Sequence, residues 1–177
     1  MMGRVSGVPY QVELPGIFTG STLRPATDQM FMSIALVAST RATCVRRRVG
    51  CVLVNNKNHI LSLGYNGQPS GFEHCIDNPC GGSCNASGEG LDECEAIHAE
   101  ANAITRLKEP DNVHTCYVTT APCVSCLKLL LATSCQRIVY LHDYPQGGNF
   151  DLWAKAGRLW EHYDPLDYKF NMVEVMK

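Results

Sequence analysis

Two short clusters carry residues able to bind a transition metal and move protons: His98-Ala99-Glu100 and Pro122-Cys123-Val124-Ser125-Cys126. Cys123 and Cys126 are three apart, so a helix that starts there puts both on one face of its first turn. The positive end of that helix favours the thiolate form that zinc requires. With the imidazole of His98, two thiolates fill three of the four positions around a tetrahedral ion. The fourth stays open to water, which separates a catalytic zinc site from a closed structural one. Glu100 stands two residues from the histidine and can reach that water without binding the metal. Positions i and i+2 of a regular helix point apart, so this expectation requires His98 to sit at the irregular start of its helix.

The chain has ten cysteines in 177 residues. Nothing in residues 1–19 has the charged start and apolar stretch of a secretory signal, which predicts a reducing, cytoplasmic setting where thiols bind metal or lie buried. Cys51, Cys116 and Cys135 fall in apolar strand-like runs or at a strand's edge and are expected as small buried hydrophobes. Cys44, Cys75, Cys80, Cys84 and Cys94 join Cys123 and Cys126 in loops or at element ends, and these are the metal candidates. Fifteen Lys and Arg against 17 Asp and Glu give a net charge of −2, which offers no footprint for a polynucleotide. No apolar run approaches the roughly 20 residues that span a bilayer. The local exception in charge is Arg46-Arg47-Arg48, whose guanidinium forks suit the phosphate of a substrate or an effector. Gly64, Gly67 and Gly71 add backbone that phosphates can approach closely.

These groups need a scaffold, and hydrophobic periodicity supplies one. Residues 1–26, with Pro9, Pro15 and Pro25 and no sustained period, read as an extension ahead of a catalytic domain over 27–177. A helix starts at Thr27 or Asp28, followed by strands at 49–54 and 60–65 joined by a turn at 55–58. The loop at 66–95 is too long to be idle and reads as a ligand- or metal-pinned insert. Then come helix 97–107, strand 114–119, helix 124–133, strand 137–141, helix 150–160 (carrying Trp153 and Trp160) and a closing strand at 169–175. His59, His114, His142 and His162 are expected at strand ends or on the surface. Alternating short strands and helices predict an α/β fold, a three-layer α/β/α sandwich over a mixed five-stranded sheet.

The pairing of His-x-Glu with Pro-Cys-x-x-Cys is the signature of zinc-dependent deaminases. More of the chain fits one branch. Val49-Gly50-Cys51-Val52, Gly64-Tyr65-Asn66-Gly67-Gln68-Pro69-Ser70-Gly71, the Cys-rich insert at about 67–95 and His98-Ala99-Glu100-Ala101-Asn102-Ala103-Ile104 together resemble deoxycytidylate (dCMP) deaminases. The resemblance runs from about Thr27 onward. It implies the cytidine-deaminase fold, a homohexamer, and conversion of dCMP and water to dUMP and ammonia, with dUMP supplied to thymidylate synthesis. It also implies activation by dCTP with Mg2+ and inhibition by dTTP. Glu100 would shuttle protons, the backbone of Ala99 and Thr120 would read the base edge, Asn66 would hold the sugar, and Tyr144 would lie near the pyrimidine. Pro145 departs from the pattern, since relatives often place a charged residue there. A structural zinc is implied as well, held by four of Cys44, Cys75, Cys80, Cys84 and Cys94, with His74 as a weaker candidate.

Three other readings compete. A sister deaminase could act on cytosine, cytidine, tRNA adenosine or a pterin-like base, against which the Tyr65-Asn66-Gly67 loop and the insert argue. A zinc-binding module without catalysis would not need Glu100 beside an open coordination position. A regulatory subunit without turnover would not need the intact set of His98, Glu100, Cys123 and Cys126.

Overall fold

In a computed structural model of the chain, residues 25–85, 89–90, 93–144 and 149–164 are described. Helix α1 (Thr27–Ser39) leads into strand β1 (Gly50–Val54) and strand β2 (Ile60–Tyr65). After the insert come helix α2 (Ala99–Ile104), strand β3 (Thr115–Thr120), helix α3 (Val124–Leu131) and strand β4 (Arg137–His142). Helix α4 (Asn149–Ala154) and strand β5 (Leu159–His162) follow. The strands form one mixed sheet in the order β2-β1-β3-β4-β5. β1 runs antiparallel to both neighbours, whereas β3, β4 and β5 are parallel.

Period-two alternation divides the core between the two faces of the sheet. Val52, Val54, Tyr117 and Val139 face α1 and meet Phe31, Met32 and Ala35. The residues between them, Cys51, Leu53, Cys116, Val118, Ile138 and Tyr140, pack with Ala99, Ala103, Leu127, Leu130 and Trp153 from α2, α3 and α4. The three-layer sandwich and the mixed sheet are therefore as expected. Cys51, Cys116 and Cys135 are fully buried, as their apolar settings predict. None of the described helices is long and apolar enough to cross a membrane.

The far edge of the sheet departs from the sequence reading. Helix α4 stops at Ala154, and Gly157, in the left-handed region at φ 67°, turns the chain into β5. Leu159 and Trp160, expected on the helix, instead pair with Arg137 and Ile138. Trp153 is the core residue of the two tryptophans, its indole N–H donating to the Leu159 carbonyl at 2.9 Å. Trp160 lies against Tyr140, with ring centroids 5.1 Å apart. The strand expected at 169–175 lies outside the described residues, as do residues 1–24 of the expected extension. A polar clamp ties α1 to this half of the sheet: Arg137 pairs with Asp28 at 2.7 Å and also with Glu161, and the Tyr117 hydroxyl donates to Asp28 at 2.6 Å.

Helix α2 approaches β2 so closely that only glycine fits beneath it. A Cβ on Gly64 would lie 2.3 Å from the Ala99 carbonyl oxygen and 2.6 Å from the Ala103 nitrogen, both backbone atoms. This helix carries Glu100 and starts directly after His98, so Gly64 sets the depth of the chemistry-bearing segment. Gly64→Ala should destabilise the protein by roughly 1–3 kcal/mol, as overpacking does. It should also weaken zinc retention, read by denaturant melts and metal analysis of the same preparation. Unchanged stability would show that α2 can move away at no cost.

Candidate active site

Both halves of the motif fall where extended chain turns into helix. His98 immediately precedes α2, with φ −68° and ψ 155°. Cys123 has the same place before α3, with φ −71° and ψ 167°. Neither is in helical conformation, so His98 and Glu100 escape the separation that i and i+2 have inside a helix. The condition set by the sequence is met. The helix starts are brought together because β3 ends at Thr120, and Ala121 and Pro122 lead straight into α3 beside α2. This is the carboxyl edge of the parallel strands, where open α/β sheets place their ligands.

The His98 Nδ1 lies 3.4 Å from the Sγ of Cys123 and 3.4 Å from that of Cys126. All three donor atoms fall within 4.8 Å of one another. Tetrahedral bonds of about 2.1 Å to nitrogen and 2.3 Å to sulfur would hold such donors about 3.5 Å apart. The donor set therefore fits zinc in both chemistry and spacing. Glu100 is buried, and that burial is the main cause lifting its carboxyl to about 7. A carboxyl balanced near neutrality suits a group that must both accept and return a proton. The Cys126 thiol pulls Cys123 well below the usual thiol range, and His98 adds to the effect. Cys123 in turn raises His98. Cys126 is raised, first by its bond to Cys123 and then by burial. The contact between the two thiols thus pushes them in opposite directions.

A cavity of about 330 Å³ opens over this group, with His98, Ala99, Glu100, Thr120, Cys123, Tyr144 and Asn66 on its walls. The residues that the sequence assigns to base and sugar therefore share one cavity with the metal-ligand set. Asn66 is also a strut: its Oδ1 accepts from the Val49 N–H at 2.7 Å and its Nδ2 donates to the Arg47 carbonyl at 2.8 Å. Cys44, Cys94, Arg46 and Arg47 line the cavity too, so the insert forms one of its walls. Arg46 ties that wall down by donating to the Gly82 carbonyl at 3.0 Å. Arg48 is not among the lining residues. Gly67 bridges to Ile97, and Gly71, at φ 92°, has open space around its Cα.

The insert thiols meet in pairs. Cys75 and Cys80 are 3.8 Å apart, and Cys94 interacts with Cys80. Cys44 is buried, whereas Cys84 is exposed against the Ser83 hydroxyl at 3.7 Å. His74 is exposed. Among the described residues, the compact three-donor group is that of His98, Cys123 and Cys126. Sequence reasoning did not separate Arg47 from its neighbours, although the arginine run pointed to the segment. It gave no signal for Asn85, Ala96 and Ala121, which also line the cavity.

Zinc is held by thiolates and neutral imidazole, so its uptake releases ligand protons and acid should oppose it. The apparent zinc affinity should fall by about tenfold per pH unit for each proton released, between pH 8 and pH 6. Competition with a chromogenic chelator across that range measures this, and a flat profile would contradict the assigned ligands.

Residues 25–142 match the family described as the cytidine and deoxycytidylate deaminase zinc-binding region. A deoxycytidylate deaminase of Schizosaccharomyces pombe is 36% identical over 125 residues, which is 68% of this chain and 38% of that protein. One from Mycobacterium phage D29 is 37% identical over 123 residues, 66% of this chain and 95% of that protein. The chain thus spans about two fifths of the yeast relative and nearly all of the phage one. A crystal structure of the dCMP deaminase of cyanophage S-TIM5 in complex with dCMP and dUMP superposes with a TM-score of 0.64 at 26% identity. That superposition covers 80% of this chain and 99% of the phage chain. With the motif, the sheet order and the donor geometry in agreement, the chain belongs to the cytidine and deoxycytidylate deaminase zinc-binding family.

Proposed function

We propose that the chain is a zinc-dependent hydrolase that converts dCMP and water to dUMP and ammonia. The observation that carries this reading is the buried Glu100 carboxyl beside the His98, Cys123 and Cys126 donors in one cavity. His98, Cys123 and Cys126 would hold the zinc, which supplies Lewis-acid activation of a water. Glu100 takes a proton from the attacking water and delivers it to N3 of the pyrimidine. It then hands a second proton to the amine that leaves C4. Ala99 and Thr120 face the base edge with their backbone, and Tyr144 closes the cavity beside it. The deoxycytidylate deaminase of phage D29, matched over 95% of its length, and the dCMP-bound S-TIM5 structure support this choice of substrate.

A second zinc belongs to the insert in this reading. Cys44, Cys75, Cys80 and Cys94 are its ligands, because Cys75 and Cys80 already meet, Cys94 contacts Cys80, and Cys84 faces outward. Delivery of dUMP to thymidylate synthesis, control by dCTP with Mg2+ and by dTTP, and a homohexamer extend the same reading. Their support is the resemblance of the motifs. Arg46, Arg48, Gly64, Gly67 and Gly71 are the sequence's candidates for effector contacts; Gly64 is occupied beneath α2 and Arg46 by the insert.

The purified protein should release ammonia from dCMP in preference to cytosine, cytidine or guanine. Glu100→Ala should lower turnover at least ~100-fold, the lower end of the range for a general acid–base step. Metal analysis should find two zinc ions per chain in both proteins. Turnover above about a tenth of the parent's would remove Glu100 from the proton path, and a single zinc would remove the insert site.

A further inference from the structure

Helix α2 is too short to fix its own position. It has six residues, Ala99–Ile104. An isolated helix needs roughly 12–15 residues to be even marginally stable in water. Ties to neighbouring segments therefore set where α2 lies, and two of them bracket His98 and Glu100. Ahead of His98, the Ile97 N–H donates to the Gly67 carbonyl at 2.9 Å and the Gly67 N–H to the Ile97 carbonyl at 3.2 Å. After Glu100, the Asn102 Nδ2 donates to the Tyr65 carbonyl at 2.9 Å. The segment that bears the histidine and the carboxyl is thus suspended between two anchors on one short loop, Tyr65 and Gly67.

Asn102 acts on both sides of that span. Its backbone N–H donates to the His98 carbonyl at 2.9 Å and closes the turn that begins at the histidine. Its side chain grips the carbonyl of the peptide that joins Tyr65 to Asn66. The N–H of the same peptide, on Asn66, donates to the Val49 carbonyl at 3.1 Å. One peptide plane is thereby held from both edges, by α2 on one and by the entry to β1 on the other. The Asn66 side chain keeps its own bonds to the Val49 N–H and the Arg47 carbonyl, at 2.7 and 2.8 Å. Asn102 is not among the residues that line the cavity, so its effect on the chemistry passes through α2. Ser62 provides a comparison on the same helix, its Oγ donating to the Ala103 carbonyl at the far end at 2.8 Å.

We propose that Asn102 is a positioning residue for the deamination: by tying α2 to the Tyr65–Asn66 peptide it fixes the Glu100 carboxyl against His98, Cys123 and Cys126. This rests on the deaminase reading above and deepens it by naming the residue that holds the proton carrier in place. A proton carrier tolerates little displacement, since a shift of about 1 Å can lower a rate roughly 100-fold. An interaction made only in the transition state acts on kcat and kcat/KM together and leaves KM unchanged.

The test uses the full zinc-loaded chain with dCMP as substrate, comparing the parent with Asn102→Ala, Asn102→Asp, Asn102→Gln and Ser62→Ala. Asn102→Asp keeps the shape of the side chain and removes its N–H donor, whereas Asn102→Gln keeps the amide on a longer stem. The Ala and Asp variants should lower kcat by about 10- to 100-fold, with KM within about threefold of the parent's. Asn102→Gln should recover part of that loss. Ser62→Ala should keep kcat within about threefold at a comparable fall in denaturant midpoint. Hydrogen exchange gives a readout besides activity: protection of the Asn66 amide should fall at least about tenfold in Asn102→Ala and Asn102→Asp and hold in Ser62→Ala. Should Asn102→Ala fail to fold, Asn102→Asp and Asn102→Gln decide. A kcat within about threefold of the parent's in the Ala and Asp variants would overturn the proposal, as would a loss confined to KM. So would an equal kcat loss in Ser62→Ala, which would make Asn102 one general anchor of the helix. A parent inactive on dCMP overturns the deaminase reading, whereas unchanged Asn66 protection overturns the tie whatever the activity.

Discussion

The structure turns on the meeting of two helix starts. A histidine and two thiolates can share one small ion only if their donors stand about 3.5 Å apart. That spacing is reached by putting His98 and Cys123 in extended backbone immediately before α2 and α3, with Cys126 one turn inside the second helix. The parallel pairing of β3 with β4 fixes where α3 begins, and the antiparallel hairpin of β1 and β2 fixes how deeply α2 lies. Helix N-termini also carry partial positive charge, which adds to the Cys126 thiol and the His98 imidazole in favouring the thiolate on Cys123. Arg158 secures the other end of α3, donating to the Leu130 and Leu131 carbonyls while stacked on Trp153.

Burial of Glu100 follows from the same arrangement and has a chemical consequence. A carboxyl in the first turn of α2 that lines the cavity is removed from bulk water, and desolvation disfavours its charged form. The fold spends stability to hold an acid near neutrality where it can act in both directions. The insert complements this by walling the cavity with Cys44 and Cys94, held through Arg46. A closed side of this sort excludes solvent from the reacting groups and strengthens every electrostatic interaction among them.

Much of this was legible in the residues. The three-spacing of Cys123 and Cys126, the proline before them and the histidine two residues from Glu100 pointed to the three donors that the structure brings together and to the carboxyl buried in the same cavity. The alternation of short strands with helices gave the layered α/β sandwich. The far edge was misread because Leu152, Ala156 and Leu159 fall at helical spacing, while the turn at Gly157 depends on a left-handed backbone that periodicity does not report. The arginine run was read as phosphate-binding as a whole. Arg46 and Arg47 both line the cavity and Arg48 does not; the contacts that set them apart, Arg46 to Gly82 and Asn66 to the Arg47 carbonyl, are long-range in sequence. The glycines of the 64–71 loop were assigned to phosphate. For Gly64 the close approach is to the backbone of α2, a contact between segments 35 residues or more apart that local sequence does not encode.

The central claim is that His98, Cys123 and Cys126 hold a zinc whose fourth position faces Glu100. Crystals of the zinc-loaded protein, with diffraction recorded on either side of the zinc absorption edge, test it directly. The account predicts an anomalous peak bonded to His98 Nδ1 and to the sulfurs of Cys123 and Cys126, with a water or product atom in the remaining position beside the Glu100 carboxyl. A fourth protein ligand closing the ion, or no peak between these residues, would contradict it.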